Sequence, residues 1–173
     1  MTLDFDRARD ITEKLVRLSA GLPSNEAPER AGGYLTIGME TPGRVTRIYS
    51  FPIGVMPSAD GDETNLEELY RNFSREKFHR LQADWHRDHS IVSSWQTRDV
   101  EMHRYGGGVL LLPEGCNNDG SHYIITFSGL KEHVDEATSL VLGRQLGLTQ
   151  PDREKRIVQI SDNKVFDEML GVA

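Results

Sequence analysis

Two short apolar runs, GVLLLP at 108–113 and HYIITFSG at 122–129, flank the stretch EGCNNDGS at 114–121. Gly, Asn, Asp and Ser are turn residues, so the pair reads as a hairpin. Both runs are apolar on successive residues rather than alternately, as in strands buried on both faces. A hairpin at the centre of a sheet commits that sheet to antiparallel pairing there. It excludes an all-parallel, doubly wound arrangement.

The rest of the chain agrees with this frame. YLTIGME (34–40) and RVTRIYSF (44–51) form a second hairpin about the turn TPG, the latter run rich in β-branched and aromatic residues. SIVSSWQT (90–97) and DVEMHRY (99–105) are expected to supply a third, edge-like strand region. Three segments have helical periodicity. In 4–20 an apolar stripe of Phe5, Ala8, Ile11, Leu15 and Leu18 follows Asp4 or Thr2 as cap, and Gly21 with Pro23 ends it. In 65–88, capped by Thr64 or Asn65, Leu66, Leu69, Tyr70, Phe73, Phe78, Leu81 and Trp85 mark a broad apolar face. In 130–147 the inward positions are Val134, Ala137, Val141 and Leu142 or Leu146. RIVQIS (156–161) reads as a short strand and DNKVFDEML (162–170) as a short helix capped by Asp162. The expected class is α+β: a central, mainly antiparallel sheet with helices packed on it, plus an extra C-terminal strand and helix. Residues 1–150 form the main domain and 151–173 a C-terminal extension.

Three consecutive glycines, Gly106, Gly107 and Gly108, precede the first apolar run. A phosphate-binding loop places its glycines between a strand and a helix N-terminus and follows them with Lys and Ser or Thr. Here a strand follows, so the glycines are a backbone device: a sharp turn, or close approach to a packed helix or to a planar ligand.

The function classes narrow by exclusion. A net charge of −7 spread over 173 residues provides no basic face for nucleic acid and no attraction to anionic lipid. A single cysteine, Cys116, rules out an intrachain disulfide framework and a zinc site built on several thiolates. The first residues, MTLDFDRARD, form no apolar signal core, and no run approaches the roughly 20 apolar residues of a membrane span. The expectation is a soluble cytoplasmic protein. Ser93 and Ser94 lack the Gly-x-Ser-x-Gly elbow, and Cys116 has no neighbouring base in sequence. His79, His86 and His89 share a helix face if the helix runs through His89, a geometry open to a divalent metal. The helix dipole accounts for histidines at a C-terminus equally well, and no metal site is assigned.

A helix, a Gly-Gly-x-Leu hairpin, a basic helix, a Gly-Gly-Val strand entrance, a strand ending in Ser-Gly-Leu and an acidic helix start together resemble the GlcG/HbpS-like family, also called the haem-binding or haem-degrading domain family. The matching residues are Gly107 and Gly108, then Ser128, Gly129, Asp135, Glu136 and Ala137, with Arg75 and Lys77 matching loosely on the preceding helix. The resemblance covers about residues 4–148. The chain departs from the pattern at Val109, which Leu110 follows where the family has Pro, at EGCNNDGS, and in the tail after Pro151. The resemblance implies a profilin-like sandwich, homo-oligomeric assembly and, for some members, haem. Haem needs an apolar slot, an axial ligand and cations for its propionates. Arg75, Lys77 and His79 can supply one side, and His103, Tyr105 and Gly106–Gly108 the other. The expected function is small-ligand binding, with haem or a related tetrapyrrole as the candidate cofactor. A non-catalytic assembly protein and an enzyme of unassigned chemistry are the alternatives.

Overall fold

The computed structural model describes residues 3–41, 44–56, 65–115 and 120–173, with 44–46 as backbone only. The turn at 42–43, the caps Thr2 and Thr64, and Cys116 lie outside the described residues.

Among the described residues four strands form one antiparallel sheet: β1 (Gly32–Thr41), β2 (Arg44–Gly54), β3 (Gly108–Leu111) and β4 (His122–Ser128), in the order β2-β1-β4-β3. The two hairpins are therefore joined edge to edge through β1 and β4, with Leu35 opposite Phe127 and Ile37 opposite Ile125. Among the described residues there are five helices: α1 (Phe5–Ser19), α2 (Leu66–Arg87), α3 (Glu132–Gln145), α4 (Pro151–Ser161) and α5 (Lys164–Val172). Strand alternation sends successive side chains to opposite faces. On one face Ser74 of α2 donates to Thr36 Oγ1 at 2.9 Å, and Phe78 fills the space above Gly38. On the other, Gly143 of α3 packs on Leu111 and Ile125, while Phe5 of α1 meets Tyr49 with ring centroids 3.6 Å apart. The fold is α+β, a sandwich with helices on both faces of the sheet.

Local chemistry sets the helix starts. The Asp4 side chain accepts from Arg7 N at 3.0 Å and that of Asn65 from Glu68 N at 3.1 Å, each satisfying a first-turn donor. Helix α3 is buried on every side from Val134 to Gly143 because it lies between the sheet and α1 and α5. Its polar residues are satisfied internally. Glu136 accepts from Ser93 Oγ at 2.7 Å, from Ser161 Oγ and from Asn163 Nδ2 at 3.0 Å.

Three expectations are corrected. Asp162 does not cap α5; it closes α4 in the left-handed conformation, and Asn163 stands at the α5 start. Residues 156–161 are helical, the second half of α4, not a strand. Pro151 at the first turn and Asp152 and Glu154 behind it make a helix start, which outweighs the β-branched Ile157 and Val158. The region 90–105 is not a strand either. Ser93 makes a lone bridge to Val109, a 3₁₀ turn spans Ser94–Thr97, and Asp99 bridges to Arg104. The Ser93 hydroxyl accepts from Trp95 N at 3.2 Å, and the Gln96 carbonyl oxygen accepts from Val92 N at 2.7 Å and Ser93 N at 3.1 Å. These side chains take donors that a strand would have given to a neighbour. Among the described residues no helix is long and apolar enough to cross a membrane.

Candidate functional site

Lys77 sits at mid-helix in α2 with 1 % of its surface exposed. Its stem runs beside Gly108, and its ammonium donates to Phe127 O at 2.7 Å, Asp135 Oδ2 at 3.1 Å and Ser128 Oγ at 3.4 Å. Asp135, in the first turn of α3, is equally buried, and its Oδ1 accepts from Leu130 N at 3.0 Å. The ion pair thus links helices on opposite faces of the sheet, around the end where β3 begins and β4 stops. Burial pushes the Asp135 carboxyl up to about 6, although the Lys77 charge and the bonds from Lys77 and Leu130 pull it the other way.

This pair explains the second of the three glycines, and its neighbours explain the others. A Cβ on Gly107 would stand 2.6 Å from Asp135 Cβ and 3.0 Å from Lys77 Nζ, and its φ of +102° is strained for any side chain. A Cβ on Gly106 would stand 2.5 Å from the Trp95 ring. Gly108 lies against Thr126 and Ser94, whose hydroxyl accepts from Gly108 N at 2.8 Å. All three glycines are buried and meet protein on the side where a side chain would project. Of the two close approaches open to these glycines, packing against protein is the one seen on that side.

A hollow does adjoin them. A cleft of about 290 Å³ opens over the ion pair, with Lys77, Asp135 and Ser128 among its lining residues. Tyr70 and Phe73 of α2 and Tyr105 provide aromatic walls, Phe73 meeting Tyr105 edge-on at 5.1 Å. Arg30, Lys131 and Glu132 supply the remaining charges. The arrangement offers a cleft with aromatic side chains on its wall beside a buried ammonium, with two further cations near it.

Of the residues expected at a ligand site, Lys77 and Tyr105 line this cleft and His103 adjoins it, its Nδ1 3.4 Å from the Tyr105 hydroxyl. Arg75 and His79 do not line it. The Arg75 guanidinium reaches Ser50 Oγ at 3.4 Å, and exposed His79 rests edge-on against Phe78. Nor do His79, His86 and His89 share a helix face: α2 ends at Arg87, before His89, and the His86 ring contacts Glu40 at 2.6 Å, whereas His89 stacks on Trp85 at 4.6 Å. Among the described residues no group of three His, Cys, Asp or Glu is arranged to hold a metal ion.

Sequence reasoning missed Arg30, Tyr70, Phe73, Glu132 and Asp135. For two of them a signal is present: Tyr70 and Phe73 stand seven and four residues before Lys77, a spacing that puts all three on one helix face. Asp135 reads in sequence as an ordinary acidic first turn. A larger hollow of about 640 Å³ lies across the start of α3, beside Trp95 and His133. Its charged residues Glu26, Lys131, Asp162 and Lys164 are all exposed, so the chemistry concentrates in the smaller cleft.

The chain matches no protein-family model, no curated protein and no solved structure.

Proposed function

We propose that this chain is a small-ligand-binding protein and that the cleft over Lys77 and Asp135 is its binding site. The observation that carries the reading is a charged pair buried within a sandwich yet lining a hollow. A purely structural pair gains nothing from an adjoining cleft, and burying two charges is costly in itself. At about 290 Å³ the cleft falls just below the roughly 300–1,000 Å³ usual for small-molecule sites. It suits a compact metabolite with a flat apolar body and a polar head. Tyr70, Phe73 and Tyr105 would hold the body and Lys77 the head.

A tetrapyrrole is the second reading, favoured by one observation. Tyr105, a residue type able to ligate haem iron, lines the same cleft as the cations Arg30 and Lys131, which would hold the propionates. The volume admits an edge of such a ring rather than the whole.

Titration of the purified protein with benzoate by calorimetry and with hemin by absorbance separates the two. Saturable benzoate binding, weakened in Phe73→Ala and Tyr105→Ala, which remove aromatic wall, supports the first reading. A saturable Soret shift that Tyr105→Phe abolishes supports the second. If neither probe binds saturably, the cleft is not the site.

A further inference from the structure

The Lys77 ammonium already holds the Asp135 carboxylate, and both line the cleft. An acidic ligand head that reaches Lys77 must therefore stand beside Asp135. The surroundings decide which group then yields. Side chains of Lys77 and Asp135 are 1 % and 3 % exposed, so water screens neither. Two ionised carboxylates sharing one ammonium in such a place repel each other strongly, and one of them takes a proton. The other charged groups lining the cleft are Arg30 from the segment before β1 and Lys131 and Glu132 at the start of α3. Helix α2 adds Tyr70 and Phe73, β4 ends there in Ser128, and the segment before β3 adds Tyr105. Glu132 is engaged outward by Arg98, with Nε to Oε2 at 2.6 Å. Asp135 is thus the carboxylate placed to accept the proton, and burial has already raised its affinity for one.

We propose that the cleft takes a carboxylate-bearing ligand whose head group displaces Asp135 from the Lys77 ammonium and drives a proton from solvent onto Asp135. The inference rests on the small-ligand reading above. The step breaks and forms no covalent bond other than the O–H on Asp135: the ligand binds as its anion, the proton comes from buffer, and the net charge of the cleft is unchanged. The Asp135 carboxyl, once protonated, becomes a donor that can bond the incoming carboxylate. Ligand is therefore held more tightly in mildly acidic solution and released as pH rises. The protein discriminates acids from their neutral isosteres by this exchange.

Calorimetry of benzoate binding at pH 7 in two buffers of different ionisation enthalpy tests it. The expected result is uptake of about one proton per benzoate, with affinity rising up to about tenfold per unit as pH falls from 8 to 7. Benzamide, the uncharged isostere, is expected to bind at least about tenfold more weakly and without uptake. Glu132→Gln is expected to keep the uptake, and Asp135→Asn, if folded by circular dichroism, to lose it. The wild-type measurement decides the matter alone if Asp135→Asn does not fold. Benzoate binding with no proton uptake, equal binding of benzamide, or uptake lost in Glu132→Gln overturns this inference and leaves the small-ligand reading standing. No saturable binding of either probe overturns both.

Discussion

A lysine ammonium and an aspartate carboxylate held 3.1 Å apart in the interior are stabilising only while both are present. Removing one partner leaves an uncompensated buried charge, which costs about 3–5 kcal/mol. Lys77→Met should lose that much at pH 7.5 in urea unfolding, and clearly less at pH 5, where the carboxyl it strands is protonated. Equal losses at the two pH values would show that Asp135 is not the stranded charge. In the wild type the folded carboxyl titrates at about 6 and its unfolded counterpart at 3.8, so the folded state holds the proton more tightly. Asp135 therefore favours the folded state most at low pH, and its contribution declines as pH rises from about 4 to about 6. At Gly107 the backbone and the ion pair leave no room for a methyl group. Gly107→Ala should destabilise by more than about 1 kcal/mol, read as a drop in urea midpoint. An unchanged midpoint would contradict the packing described. The glycines were legible as a backbone device, but what they pack against was not. Trp95 and Asp135 are 11 and 28 positions away in the chain, a distance that no local pattern spans.

At the scale of elements, the amphipathic helices were legible from their apolar period, and the hairpins from turn residues between apolar or β-branched runs. The two hairpins and the helices α1, α2 and α3 fall where the apolar spacing puts them, and Asp4 and Asn65 cap the first two helices. The segment 90–97 was not legible in this way. Ile91 and Val92 favour a strand by side-chain type, but Gln96 and Ser93 capture the backbone donors nearby. Gln96→Ala removes the acceptor shared by Val92 N and Ser93 N and should cost about 1 kcal/mol. A thermal melt indistinguishable from wild type would show those bonds to be incidental. Helix α4 is obscured for a related reason: two β-branched residues suggest a strand, while Pro151 and the acids after it mark a helix start.

At the scale of the molecule, 151–173 reads in sequence as an addition but packs as part of the core. Val165, Phe166 and Met169 are buried in α5, which lies against α3. Glu168 accepts from Ser24 N at 3.0 Å and from Ser24 Oγ at 2.5 Å, and Lys14 Nζ donates to Ala173 O at 2.8 Å. Truncation after Gln150 strips four buried apolar side chains from the core, Ile157 with Val165, Phe166 and Met169, each worth about 1.5–3 kcal/mol. It also removes Ser161 and Asn163, which donate to Glu136. The truncated chain should lose cooperative unfolding, as followed by near-ultraviolet circular dichroism. A sharp, wild-type-like transition would make the segment a dispensable extension.

The sandwich brings one cationic side chain to the floor of a hollow, and the functional account depends on that lysine meeting a ligand. A buried, hydrogen-bonded ammonium exchanges slowly enough with water to be observed directly by nitrogen-15 NMR. Titration with benzoate at pH 6.5 should move the Lys77 Nζ resonance progressively to saturation, in step with the Tyr105 ring signals. A Lys77 resonance that stays fixed while benzoate saturates the protein elsewhere would contradict the account.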